Sequence, residues 1–140
     1  MLVIRARLLL VALWAGSLLA VGYLVAPTLF ATLPDKALAG TLAGAMLRSE
    51  AWLSAGMGVL LMGVLAVSQD LDAKTKRTLR IIVLGMLACV LVNYAGLWPL
   101  MAEARAAGDR SRFGMLHGLS MVVYLTQSVM SLYLVIRNKS

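Results

Sequence analysis

The stretch "IIVLGMLACVLVNYAGLWPLMA", residues 81–102, runs from Arg80 to Glu103 without a charged side chain. A helix needs roughly 20 predominantly apolar residues to cross the ~30 Å hydrocarbon core of a bilayer, and this segment is long enough. Three more uncharged runs match it: Leu8 to Pro34, Ala51 to Gln69 and Phe113 to Ile136. None shows the period-two alternation of a barrel strand. The predicted fold is therefore an all-α membrane protein, a four transmembrane helix bundle. Its spans fall at about residues 8–27, 51–68, 81–98 and 113–136 of a single membrane domain covering 1–140.

Composition agrees. Of 140 residues 61% are hydrophobic and 14% charged, and the mean hydropathy is +0.89. A soluble domain is nearer half apolar and a quarter charged, so lipid has to solvate the excess. The lone Cys89, inside an apolar run, excludes a disulfide framework and a cysteine-based zinc site. The net charge of +7 flanks the apolar runs, which is a topology signal rather than a nucleic-acid surface.

Basic residues predict the orientation. Arg5, Arg7, Lys74, Lys76, Arg77, Arg80, Arg137 and Lys139 share one side; Lys36, Arg48, Arg105, Arg110 and Arg112 share the other. Eight against five predicts both termini in the cytoplasm. The N-terminal run continues through "VGYLVAPTLF", too far for a leader's apolar region, and reads as span one. Trp14, Trp52 and Trp98 lie toward span ends, where aromatic side chains anchor at the interface.

An extra helical segment precedes the second span. Thr32-x-x-Asp35 resembles a capping box, with Pro34 in the first turn. Helix signal then continues to about Val67, some 36 residues or roughly 54 Å. Such a helix either projects from the membrane or bends near Arg48–Glu50. The connection "WPLMAEARAAGDRSR" also reads as helical until Gly108, a C-terminal stop. Pro27 and Pro99 are expected to end spans one and three, a faint echo of a duplicated two-helix unit.

Small residues mark where membrane helices approach closely. Ala12, Gly16 and Ala20, the pairs Gly40/Gly44 and Gly114/Gly118, and the row Gly85, Cys89 and Asn93 are the expected seams. On span four, His117, Ser120, Tyr124, Gln127, Ser128 and Ser131 fall within an arc of about 100° at 3.6 residues per turn. Intramembrane polar groups almost always face the bundle interior or a wet cavity, so this stripe is expected to point inward. Asn93 and Tyr94, Tyr23, and Arg48 with Glu50 reach the same outer depth from the other spans. The candidate ligand-binding set is His117, Asn93, Tyr94, Tyr23, Glu50, Arg48, Tyr124 and Gln127, lining an outer-leaflet cleft. In it His117 serves as acid–base or ligand group, Arg48 as an anion contact, and Glu50 as its counter-charge or a proton acceptor.

Other readings of the same residues stand beside this one. Polar groups near span ends also serve packing, through single interhelical hydrogen bonds of about 0.6 kcal/mol. An imidazole is a common axial haem ligand, and with thioethers such as Met115 or Met121 it suits Cu(I); no M-x-M or M-x-x-M cluster accompanies it. No zinc-pair histidines, nucleophile elbow or phosphate loop is present, so no catalytic residue is assigned.

Two stretches carry a family resemblance. "LWAGSLLAVGYLVAPTLFATLPDKALAGTLAGAML" and "FGMLHGLSMVVYL" resemble the small bacterial membrane proteins of domain-of-unknown-function family 4149, which are similar to eukaryotic transmembrane protein 205. The resemblance implies a four-helix protein of the bacterial inner membrane with no assigned activity. The Trp-x-Gly and Pro-x-Leu-Phe pieces are also distantly similar to the copper-resistance D family and to the membrane protoporphyrinogen oxidases that carry haem b. Span one lacks the histidine that the latter would use as axial ligand. The functional expectation is a cleft for a small ligand, a lipid or a partner protein. The alternatives are a haem- or copper-binding redox or metal-handling protein, and a structural subunit or adaptor. The expected partners are the lipid bilayer and a membrane protein or second copy, and not nucleic acid.

Overall fold

A computed structural model describes residues 1–138; Lys139, counted above among the basic residues, lies outside them. Four long helices follow in order: α1 Leu2–Thr32, α2 Lys36–Val67, α3 Ala73–Ala106 and α4 Arg110–Arg137. Each is long and apolar enough to cross a membrane. Connections this short force sequential helices to run antiparallel as neighbours. α1 packs on α2, α2 on α3, α3 on α4, and α4 closes the ring on α1.

An aspartate opens each of the last three helices. Asp35 accepts from the backbone N–H groups of Ala37 and Leu38 (2.9 and 3.1 Å). Asp72 accepts from Thr75 (3.1 Å) and Asp109 from Arg112 (3.0 Å). Each supplies a partner to a backbone donor that the helix start leaves unmade, which stabilises by about 1 kcal/mol. The expected capping box is thereby corrected: Asp35 is the cap itself, Pro34 precedes it, and Thr32 closes α1. Gly108 stops α3 as expected, in the left-handed region at φ 69°, with the Asp109 N–H returned to the Ala104 carbonyl (3.0 Å).

α2 is one unbroken helix of 32 residues, about 48 Å long. No break interrupts the helix near Arg48–Glu50, so its length exceeds the ~30 Å core. Both prolines of the spans lie inside continuous helix. A proline inside a helix lacks the N–H and collides with the carbonyl four residues back. Here a wider π-turn, Val21–Val25 in α1 and Val92–Leu97 in α3, comes just before Pro27 and Pro99. The widened turn moves that carbonyl aside, and both helices pass their proline and continue to Thr32 and Ala106.

The apolar core lies toward the end that carries the termini. Val11 and Trp14, Leu61 and Leu65, Leu79, Ile82, Val83 and Met86, and Leu134 fill it, with Met57, Met62 and Met130 packed around them. Trp14 is completely buried, not the interfacial anchor expected of it. Of the small-residue rows expected at the seams, the one through Gly85 lies at a close approach and the others do not. Gly16, Gly114 and Gly118 face no neighbouring atom within 4 Å. The close approaches are Gly22 against Tyr124, Gly58 against Leu87 and Gly85 against Met130.

Below the core, Arg7 locks the termini end. It is fully buried and pairs bidentately with Asp70 (Nη2–Oδ2 2.6 Å, Nη1–Oδ1 3.1 Å). It also donates to Ser68 Oγ (3.1 Å) and Asn138 Oδ1 (2.8 Å). One guanidinium thus ties α1 to the α2–α3 loop and to the end of α4.

Candidate functional site

The predicted site residues gather in four groups, with His117 apart, rather than in one cleft, and α2 presents Arg48 and Glu50 on opposite faces. Arg48 and Trp52 are four residues apart and share one face, as do Glu50 and Ser54; the two faces are roughly 160° apart at 100° per residue.

The inward face builds a polar network. Glu50 is 4% exposed and its carboxyl accepts a hydrogen bond from Ser54 Oγ (2.6 Å). Ser54 Oγ in turn accepts from Trp14 Nε1 (2.8 Å) and, at longer range, Gln127 Nε2 (3.5 Å). A single hydroxyl therefore joins α1, α2 and α4. Among the described residues the Arg7–Asp70 pair is the one salt bridge, so Glu50 has no cationic partner. Arg48, whose counter-charge Glu50 was expected to be, is exposed on the other face.

Next to this network lies the α1–α4 seam. Tyr23 and Tyr124 meet edge to face with ring centroids 5.9 Å apart. Tyr23 OH donates to Ser128 Oγ (2.8 Å) and Tyr124 OH to the Leu18 carbonyl (2.5 Å). That carbonyl lies just before the π-turn. Farther from the termini, Trp98 Nε1 donates to Ser120 Oγ (3.1 Å), which donates to the Oδ1 of buried Asn93 (2.8 Å). Ser120, Gln127, Ser128 and Ser131 all face inward, as the stripe on span four predicted.

The outward face of α2 and the adjoining side of α3 form a cleft of about 280 Å³ lined by Arg48, Tyr94, Trp98, Pro99 and Ala102. Trp52, Tyr94 and Trp98 make a ladder of edge-to-face contacts, with centroids 5.8 and 5.9 Å apart. No acidic residue lines the cleft.

His117 is the exception. The inward stripe was expected to include it, but it is exposed on the outside of the bundle and stacks on Phe113 at 5.9 Å. Arg105 covers the Phe113 ring at 4.8 Å. His117 sits at the edge of the buried arc. The Ala26–Thr32 portion of α1, which would have to cover that edge, packs on α2 instead. It therefore forms no acid–base pair with buried Glu50. No group of three or more His, Cys, Asp or Glu residues gathers where it could hold a metal ion, among the described residues.

Arg7 and Trp14 are the polar groups that sequence reasoning missed, having assigned both to the membrane boundary. The available signal was phase. Arg7, Val11, Trp14 and Leu18 recur at helical spacing along one buried face.

Four antiparallel helices of spanning length, with large apolar side chains exposed along their outer faces, define a multi-pass membrane protein. Residues 9–110 match the domain of unknown function DUF4149, and the chain belongs to that family. The match includes Glu50, the cleft and α1 to α3; His117 and the inward stripe of α4 lie beyond it. No curated protein and no solved structure matches the chain, so the likenesses to copper-resistance D and protoporphyrinogen oxidase proteins gain no support.

Proposed function

We propose that this protein binds the phosphate headgroup of an anionic phospholipid in the Arg48 cleft, at the outer leaflet of a bacterial inner membrane, with both termini cytoplasmic. The cleft itself carries the reading. Arg48 is exposed, lines the cavity, and makes no salt bridge or side-chain hydrogen bond among the described residues. A guanidinium is suited to planar, multi-point recognition of phosphate oxygens. Tyr94 and Trp98 wall the cavity with rings that are apolar on their faces and polar at their tips, the chemistry favoured where headgroups meet acyl chains. The apolar flank of Pro99 and Ala102 accommodates the glycerol and upper acyl carbons.

The orientation rests on the bias of basic residues, which places the α1–α2 and α3–α4 turns outside. Native mass spectrometry of protein extracted in mild detergent tests the binding. Wild type is expected to retain phospholipid and Arg48→Ala to lose it, with Arg105→Ala as a charge-matched control outside the cleft. Equal retention by all three would sink the proposal.

A further inference from the structure

We propose that Glu50 is an intramembrane proton-binding site that exchanges with the aqueous side opposite the termini and is sealed from the side that carries them. The proposal is independent of lipid binding, because Glu50 and the Arg48 cleft occupy different faces of α2.

Three observations combine. The first is the burial of the carboxyl at a neutral network: Glu50 accepts from Ser54 on its own helix, and Ser54 is held in turn by Trp14 from α1 and Gln127 from α4. Among the described residues no cationic side chain of the neighbouring helices pairs with Glu50. Tyr124 of α4 lies on the adjoining α1–α4 seam with Tyr23 of α1 beside it. On the spanning part of α3 the titratable side chains are Cys89, half-buried, and Tyr94, which lines the outward cleft. An isolated charge in a lipid-surrounded interior is costly. Uptake of a proton from water, forming the O–H bond on the carboxyl, removes that charge.

The second observation is the direction of the hydrogen bonds. The Trp14 and Gln127 N–H groups donate to Ser54 Oγ, so the one hydroxyl proton of Ser54 is directed to Glu50. A change of charge on the carboxyl therefore acts through Ser54 on α1 and α4 together.

The third gives sidedness. Every residue of the apolar core lies between Glu50 and the Arg7 clamp: positions 11 and 14 of α1, 61 and 65 of α2, 79 to 86 of α3, and 134 of α4. Toward the opposite end the buried side chains include the polar Ser120 and Asn93, joined by a hydrogen bond, beside Ala39, Ala43, Ala104 and Leu116. Protons follow polar groups and water, so the proposed exchange route runs past Ser120 and Asn93 rather than through the large apolar side chains of the core.

Infrared difference spectroscopy tests this on the intact protein. The protein is reconstituted in one orientation into vesicles of ether-linked phospholipid, which have no ester carbonyl of their own. The pH is then changed on one side at a time. Acidifying the side opposite the termini is expected to produce a carboxylic-acid carbonyl band. Glu50→Gln should abolish that component, leaving only the bands of exposed Asp35, Glu103 and Asp109. Glu50→Asp, which keeps the carboxyl, should shift it. Acidifying the termini side should leave it unchanged until the gradient decays. The absence of any Glu50-dependent component in wild type overturns the proposal. So does an equal response from both sides.

Discussion

Gly22→Ala is the sharpest test of the α1–α4 seam. A Cβ at residue 22 would overlap the Tyr124 ring, approaching Cζ to 2.8 Å and the hydroxyl to 2.9 Å, with Cε1 closer still. The ring has little freedom to withdraw, being wedged against Tyr23 and bonded to the Leu18 carbonyl. Overpacking of this kind costs about 1–3 kcal/mol, and loss of the Tyr124 hydrogen bond adds about 0.5–1.5 kcal/mol. The better helix propensity of alanine returns about 1 kcal/mol. The net expectation is a destabilisation of about 2 kcal/mol, or roughly 30-fold in the folding equilibrium. Gly16→Ala, where the added carbon meets nothing within 4 Å, should gain the propensity term alone. Unfolding in mixed micelles of rising SDS fraction, followed by far-ultraviolet circular dichroism, measures both. In a Tyr124→Ala background the cost of Gly22→Ala should vanish, since the two effects share one contact. The reasoning is refuted if Gly22→Ala is as stable as wild type, or if the cost persists without Tyr124.

Gly58→Ala should destabilise by more than Gly85→Ala in the same assay. The first pushes on the branch point of Leu87, whose Cγ lies 2.9 Å from the added carbon, whereas the second meets the flexible thioether end of Met130. His117→Ala should change stability by no more than about 0.5 kcal/mol, as befits an exposed side chain away from any bonded network; a larger loss would mean the imidazole is enclosed. The Arg7 guanidinium holds Asp70 below its ordinary value near 3.8, so between the two values the unfolded chain binds more protons than the folded one. The clamp's contribution is then complete above about pH 4 and disappears as the pH falls through the depressed value. Amide protection factors at the N-terminal turn of α1, which remove the intrinsic pH dependence of exchange, should fall over that acid range in wild type, and be low at every pH in Asp70→Asn.

Parts of the candidate site were legible and parts were not, for identifiable reasons. The spacing of Ser120, Tyr124, Gln127, Ser128 and Ser131 pointed to an inward stripe, and these residues do form the interhelical bonds. His117 shared their phase but not their surroundings, because α1 leaves α4 at that level to lean on α2. Trp14 looked like an interfacial anchor by its distance from the N-terminus; the bundle uses its indole N–H to hold Ser54. Pro27 and Pro99 mark expected span ends ahead of helical connections, and local sequence does not reveal that a π-turn accommodates each of them.

The sequence by itself determined the solvent and the number of spans. Hydropathy adds up locally along the chain, and runs of about 20 uncharged residues have one stable setting. It also placed the turns, since Asp caps and Gly108 act over a few residues. Only the tertiary structure decided which apolar face meets protein and which meets lipid. Both surroundings are apolar, so leucine and glycine patterns do not distinguish them. It likewise decided the partners of the polar groups. Arg7 meets Asp70 and Asn138 across 63 and 131 residues of chain, and Glu50 is set apart from Arg48 by two positions, because a hydrogen bond depends on where helices cross and not on how near residues lie in sequence.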